Sequence, residues 1–352
     1  MRIVMTELPV FWRDRTVFTE AFGDGLERML TDHDGLGVFI LVLANTTHEP
    51  ALRERLWRAL VARFVRHRHA LRETLARGAR PVDAEDDVAV FLRLALLGLE
   101  ALPSTEWRAT GPWQLQYNLL RALRPPRMAD AVIDSLQRPF DPAGFHFDRP
   151  FLRKEILWEG ELEGQSCRLL YNKFPFAPLH GLLLIEPKAC RPQVLDRVAH
   201  GLVWRLCERA GEQLPGLGFG FNAYGAFASV NHQHFQSFVL EEGGIYPVED
   251  ARWSHNGGTE DYPVPCLRLD DEAAAWEAVE TCYRDNHAFN LLYRPGRLYL
   301  LRRRFQGQHP LPEWSGGFAW SELAGSFTLF ERAAFEGLEA SDIMAALTAL
   351  AP

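Results

Sequence analysis

At 352 residues the chain is long enough to bury a large core and fits one large or two modest domains. Its 47% hydrophobic and 24% charged residues are ordinary for a soluble globular protein, and the formal net charge of −8 argues against a nonspecific grip on nucleic acid, so no nucleic-acid partner is expected. Five cysteines without a CxxC pair, no signal-peptide pattern and no apolar run near the roughly 20 residues of a membrane span point to a reducing cytoplasm and no membrane partner.

Residues 1–110 read as an N-terminal helical segment. Between residues 49 and 77, Leu52, Leu56, Leu60, Phe64, Leu71 and Leu75 recur at largely four-residue spacing, the stripe of a buried helix face. Arg53, Arg55, Arg58, Arg63, Arg66, Arg68 and Arg72 lie between them. A basic helix can grip RNA, but no aromatic stacking platform accompanies this one, so a solvated arginine face is the favoured reading. The stretch GARPVDAEDD at 78–87 reads as an exposed linker, and 88–102 as another buried helix. From residue 111 the composition shifts toward Trp, Pro and alternating strands. WQLQYNLLRAL is ambiguous between strand and short helix. SLQRPFDPAGFHFDRPFL, with Pro139, Pro142, Gly144 and Pro150, is expected to be a long surface loop anchored by Arg138 and His146.

Residues 152–187 predict three antiparallel strands, EILWEGEL, QSCRLLYNKFPF and HGLLLIEP. Asn172 and Lys173 fall where the second ends, and two readings stay open. The lysine either neutralises a diphosphate while Phe174 or Phe176 covers a base, or it is a surface lysine beside core phenylalanines. His180 either orients a phosphate or is a satisfied turn histidine. Pro192 is expected to open a packing helix carrying Val194, Leu195, Val198, Leu202, Val203 and Leu206, which makes His200 structural.

The densest chemistry lies in residues 218–240, GFGFNAYGAFASVNHQHFQSFVL. The residues after Asn231 read as a strand, so His232, His234, Gln236 and Phe238 share one face at intervals of about 6.6 Å, while Gln233, Phe235, Ser237 and Val239 face a core. Two imidazoles on one face can chelate zinc, but no Cys or Asp follows at ligand spacing, so no metal site is expected. A nucleophile uses the segment more fully. Gly225 and the small alanines around it let backbone amides approach a phosphate, and Ser229 adds a hydroxyl. A histidine whose Nδ1 proton is held by a carbonyl presents a bare Nε2, largely neutral at physiological pH, that can attack phosphorus.

Beyond residue 240 the chain loops, then PVPCLRL, the helix DEAAAWEAVETCYRDN and two strands around RPGR predict a further strand–helix–strand series. Alternation points Arg303 away from Arg302 and Arg304, so the three cannot serve one site. The WSELAGSF segment, Glu322 especially, is a candidate for closing a pocket.

Asn222, Ser229 and the H-x-H-x-Q run of His232, His234 and Gln236 resemble the signature of the histidine triad (HIT) superfamily, in the branch where glutamine replaces the third histidine. That branch holds galactose-1-phosphate uridylyltransferases, diadenosine tetraphosphate phosphorylases and GDP-hexose phosphorylases. The string GFNAYGAFASVNHQHFQ is most similar to the GDP-L-galactose and GDP-D-glucose phosphorylases. RPFDPAGFHF and HGLLLIEP upstream, with FNLLYRPGRLYLLRRRFQG and WSELAGSFTL downstream, carry the likeness over roughly residues 112–350. The resemblance implies an α+β fold, with a HIT-like antiparallel sheet and packing helices at 111–250. A second, degenerate HIT-like unit without its own H-x-H is expected at 251–352, and the N-terminal helical segment at 1–110 lies outside the match.

The resemblance also implies a reaction. His234 attacks the α-phosphorus of a nucleoside diphosphate hexose, GDP-hexose being favoured, and inorganic phosphate then takes the nucleotidyl group. His232 orients the strand end. Gln236 acts beside the nucleophile, and Asn222, Gly225, Ser229, Asn172, Lys173 and His180 contact the substrate. Because an amide cannot pass a proton to a leaving group, Gln236 suits transfer between phosphates. A dinucleoside polyphosphate is the competing substrate, and a non-catalytic nucleotide sensor the competing class. No cofactor is demanded by this chemistry; Mg²⁺ and a homodimer are left open.

Overall fold

Four helices open the chain in the computed structural model, which describes residues 8–124 and 132–352. The first, α1 (Arg15–Asp32), is capped by Asp14, whose carboxylate accepts from the Val17 amide at 2.8 Å. The next, α2 (Leu36–Thr46), is apolar all round and correspondingly buried. In α3 (Pro50–Ala76) the expected stripe is buried from Leu52 to Leu71, while Leu75 emerges into solvent. Three of the arginines of α3 form ion pairs within the chain: Arg55 pairs with Asp24 at 2.7 Å and with Glu27, and Arg63 and Arg66 share Asp34. The expected linker at 78–87 is pinned in its second half rather than free. Asp83 accepts from the Leu36 amide at 2.9 Å, and Asp87 is already part of α4 (Glu85–Leu97) and buried.

The ambiguous segment after residue 111 resolves into strand and then helix. A hairpin of β1 (Glu106–Thr110) and β2 (Trp113–Tyr117) is followed by a single turn, α5 (Leu119–Ala122), capped by Asn118. Then come the three predicted strands, β3 (Ile156–Leu162), β4 (Gln165–Tyr171) and β5 (Gly181–Ile185). The helix expected from Pro192 begins later, as α6 (Arg197–Gly211) capped by Asp196. The cause is tertiary. Residues 191–194 are held extended by the 231–233 loop, through Gln193 N to Asn231 at 3.0 Å, Gln233 N to the Arg191 carbonyl at 2.9 Å and the Gln233 side chain to the Val194 carbonyl at 2.6 Å. Val198 is consequently exposed rather than packed. The remainder is β6 (Leu217–Asn222), β7 (Phe235–Val239), β8 (Cys266–Leu269), α7 (Glu272–Arg284), β9 (Phe289–Arg294), β10 (Arg297–Arg302), α8 (Trp320–Leu323), β11 (Ser326–Leu329), α9 (Arg332–Gly337) and α10 (Ala340–Ala349).

One eight-stranded antiparallel sheet, ordered β3-β4-β5-β7-β6-β9-β10-β8, dominates the molecule. Within it β5-α6-β6-β7 and β8-α7-β9-β10 have the same topology and meet back to back at the β6–β9 seam. The second strand–helix–strand series thus repeats the strand order of the first, and the sheet runs unbroken across the boundary expected at 250. The N-terminal helices are likewise continuous with it. Phe22 and Tyr171 rings lie 4.6 Å apart, the Tyr171 hydroxyl donates to the Phe22 carbonyl at 2.7 Å, and both belong to one core with Val203, Phe219, Phe235 and Tyr293. The opposite face of the sheet packs Phe238, Leu292 and Tyr299 against Trp113 and Trp320, beneath a small sheet ordered β1-β2-β11, in which β11 runs parallel to β2. Among the described residues no helix is long and apolar enough to cross a membrane.

Candidate active site

A cross-strand row on the second face sets the floor of the site: Leu170 on β4 pairs with Leu182 on β5, Leu182 with Gln236 on β7, and Gln236 with Gly220 on β6. A Cβ on Gly220 would fall 2.2 Å from the Trp320 indole, so only glycine lets that ring lie flat on the sheet. Trp320 stacks on Phe238 at 5.2 Å, and its Nε1 donates to Gln236 Oε1 at 2.8 Å. The glutamine amide thus has its oxygen oriented. Beyond it opens a cavity of about 610 Å³, floored by Leu170 and Leu182, walled by Phe147, Phe174 and Phe176, and edged by His234, Gln236 and Ser229. That is ample for a small-molecule ligand.

His234 is held through both its ring and its backbone. Its Nδ1 lies 2.7 Å from the His232 carbonyl, and its amide donates to Gln193 Oε1 at 3.0 Å. The same Gln193 carboxamide, wholly buried, donates to the Asn222 carbonyl at 2.9 Å and to the His234 carbonyl at 3.2 Å. Nε2 is left with no hydrogen-bond partner among the described residues, on a ring that lines the cavity. Burial lowers the imidazole to about 4, so at neutral pH it is an uncharged base. His232 accepts from the Phe147 amide at 3.1 Å, faces the Pro187 carbonyl and is also lowered to about 4, mainly by burial. It braces the segment rather than lining the cavity. The strand itself begins only at Phe235, later than expected, yet the face alternation holds through His234 and Gln236.

The cavity's charges come from elsewhere in the chain. Lys173, just past β4, reaches Asp87 of α4 at 2.5 Å. Arg121 donates to the Phe174 carbonyl and lies over Phe176 at 5.0 Å, while Arg124 covers Phe174 at 4.9 Å. Glu155, in the turn before β3, is pushed up to about 7 by burial, against the pull of Lys173 and Lys154. Among the described residues no three His, Cys, Asp or Glu side chains converge as a metal site would require.

Residues 111–238 match the family model described as GDPGP1-like, N-terminal domain. The match covers about a third of the chain, as a likeness to that domain. A GDP-D-glucose phosphorylase 1 of Danio rerio is 35% identical over 126 residues, covering 36% of this chain and 35% of that one. The GDP-L-galactose phosphorylase 2 of Arabidopsis thaliana is 27% identical over 256 residues, covering 60% and 58% respectively. The chain thus spans 35% to 58% of the length of these two curated relatives. The crystal structure of yeast Ap4A phosphorylase Apa2 in complex with AMP superposes with a TM-score of 0.50 at 14% identity, covering 77% of this chain and 97% of that one. That likeness establishes the fold. The HIT-type α+β architecture and the kinship to GDP-hexose phosphorylases implied by the sequence are both upheld.

The fold brings five of the expected site residues to the cavity: His234, Gln236, Ser229, Asn172 and Lys173. Three expected ligand contacts are set away from it. Asn222 spends its side-chain oxygen on Asn290 Nδ2 and the Trp320 amide, both at 2.7 Å, tying β6 to β9 and α8. Gly225 is a turn residue with φ of +83° whose Cβ position would lie 2.6 Å from Phe305. His180 is wholly buried and accepts from the Phe176 amide at 3.2 Å, bracing the turn before β5. Glu322 does not close the pocket either. It accepts from Ala319 N at 3.0 Å and Ser321 Oγ at 2.9 Å at the start of its own helix, and within this segment it is Trp320 that touches a cavity residue, Gln236. Arg303 is buried, donating to the Phe318 carbonyl. Sequence reasoning missed Gln193, Arg121, Asp87 and Glu155. Of these only Gln193 has a local signal, a polar residue between Pro192 and the apolar pair Val194 and Leu195.

Proposed function

We propose that this protein is a nucleotidyltransferase that cleaves a GDP-hexose with inorganic phosphate through a nucleotidyl-histidine intermediate. The observation that carries the reading is the bare Nε2 of His234, turned to a cavity whose rim holds Gln236, Ser229 and Lys173. In the first step Nε2 forms a bond to the α-phosphorus, and the bond from that phosphorus to the bridging oxygen breaks. Hexose 1-phosphate leaves with the electron pair. In the second, an oxygen of inorganic phosphate displaces the histidine and a nucleoside diphosphate departs, so the enzyme returns to its starting state. Gln236, with its oxygen held by Trp320, offers its NH₂ to the phosphoryl oxygens, and the Ser229 hydroxyl approaches from the loop. Neither needs to deliver a proton, since the group expelled is a phosphate in the first step and the neutral His234 imidazole in the second. Lys173, Arg121 and Arg124 supply positive charge to a wall that must accept a diphosphate. The relatives' names, GDP-D-glucose and GDP-L-galactose phosphorylase, support the guanine nucleotide and the hexose class.

The test is intact-protein mass spectrometry after brief incubation, without phosphate, with GDP-glucose, GDP-galactose, UDP-glucose or diadenosine tetraphosphate, beside His234→Ala. An acid-labile adduct of GMP mass on the wild type alone is the expected result. An AMP adduct from the tetraphosphate alone would move the assignment to dinucleoside polyphosphates. Nucleotide binding with no adduct from any donor would make the protein a sensor.

A further inference from the structure

One group in the cavity is not used by this chemistry. Glu155 ends the 3-10 turn Pro150–Glu155 and immediately precedes β3. It is 8% exposed, it lines the cavity, and among the described residues its carboxylate accepts no hydrogen bond. The ammonium that acts on it most strongly, Lys173, is committed to Asp87 at 2.5 Å, and Lys154 adds a weaker pull. Burial of the side chain raises the carboxyl to about 7. A fold keeps such a group when something absent from the chain satisfies it.

Its place in the sheet says what that is. Ile156, the next residue, pairs with Leu170, which begins the row Leu170–Leu182–Gln236. Glu155 therefore stands at one end of that row and His234 at the other, β3 and β7 being three strand spacings, or about 14 Å, apart. A nucleoside monophosphate whose phosphorus is at His234 lays its base over Leu170 and Leu182, toward Glu155. Phe145 and Phe151, 51% and 56% exposed at the cavity edge, are large aromatic faces of the kind on which bases stack.

We infer that Glu155 is the base-reading residue and selects guanine, its two carboxylate oxygens accepting from the N1–H and N2–H₂ of the Watson–Crick edge. Adenine offers an amine beside an unprotonated N1, whose lone pair would face the carboxylate. Uracil offers one N–H between two carbonyls. Only guanine presents two adjacent donors to the bidentate acceptor. This inference rests on the reading of the cavity as a nucleotide site, but not on the covalent step.

The experiment is calorimetric titration of wild type and Glu155→Gln with GDP, IDP, ADP and UDP. IDP differs from GDP only by lacking the 2-amino group. Wild type is expected to bind GDP about tenfold or more tighter than IDP, the loss of one hydrogen bond to a charged group, and tighter still than ADP or UDP. In Glu155→Gln, where an amide replaces one acceptor, the GDP-to-IDP ratio should collapse toward unity while IDP binding shows that the variant is folded. Retention of the wild-type ratio by the variant overturns the inference, as do equal wild-type affinities for GDP and ADP and equal loss of GDP and IDP binding by the variant. If the mass experiment finds no adduct but the GDP-to-IDP ratio behaves as stated, the transferase proposal fails and the base assignment stands.

Discussion

The two halves of the large sheet share a topology but only one carries the candidate site, and the difference lies in a single connection. Both α6 and α7 are capped by an aspartate, Asp196 and Asp271, that accepts from the amide three residues on, and both cover the same sheet face. In one half β6 and β7 are joined through residues 223–234, which hold Ser229 and both motif histidines. In the other, β9 turns into β10 through Pro295 and Gly296 alone. The sheet is thus a scaffold common to both halves, and the site is a loop grown on one of them. What the second half contributes is support, as in Asn290, which donates to Asn222 Oδ1 at 2.7 Å and to the Ala226 carbonyl at 2.9 Å and so fixes the start of that loop.

The contrast can be broken at His234, the proposed nucleophile. His234→Ala should lower kcat/KM for GDP-glucose phosphorolysis by about 10⁴-fold or more with circular dichroism unchanged. Next comes Gln193, which holds both the amide and the carbonyl of His234. Gln193→Ala strands buried backbone groups, so urea denaturation should show a loss of about 1–3 kcal/mol. The kcat should fall far more than KM changes; an intact kcat would mean the clamp serves folding alone. Trp320→Phe keeps the stacked ring and removes the donor to Gln236. A loss of about tenfold in kcat is expected, worth roughly one neutral hydrogen bond, with little change in Tm. In the other half, Gly296→Ala opposes a φ of +70°. It should cost about 1 kcal/mol and leave kcat/KM unchanged, which is the comparison stated as a measurement.

The smallest effect expected is that of mild acid on the rate. A histidine at its ordinary 6.5 would lose about tenfold in its neutral form at pH 5.5, whereas burial puts His234 at about 4. The change in kcat attributable to it between pH 7.5 and 5.5 should therefore be less than about twofold. Stability behaves differently. Unfolded His232 and His234 take up protons near 6.5 and the folded residues only near 4. Their contribution is complete above 6.5 and is lost as pH falls through that window, so Tm should drop before the nucleophile titrates.

Much of the catalytic half was legible because its signals are local. The strands around Leu170 and Leu183 have an apolar, β-branched or aromatic run bounded by turns, and the alternation that put His234 and Gln236 on one face needs only two-residue periodicity. What could not be read depends on segments remote in sequence. Pro192 is a sound helix opener in isolation, but three hydrogen bonds from the 231–233 loop hold residues 191–194 extended and leave Asp196 to start the helix. Asp87 lies in a stretch whose composition reads as an exposed linker, and it becomes a cavity wall only because Lys173 meets it across 86 residues of chain. Arg121 and Glu155 carry no pattern at all. A single charged residue in an irregular stretch looks the same whether it faces water or a ligand. Asn222 and His180 were placed near the site by the resemblance, but hydrogen bonds to Trp320, Asn290 and Phe176 occupy them.

The parallel pairing of β2 with β11 carries a consequence for biosynthesis. Gln114 emerges from the ribosome more than two hundred residues before its partner Ser326, so Trp113 and Leu115 wait uncovered while the whole of the large sheet is made. Trp320, which orients Gln236, arrives in the same late segment. A nascent chain that already displays both motif histidines is therefore still without the ring that completes their setting, and competence comes only with the closing strand.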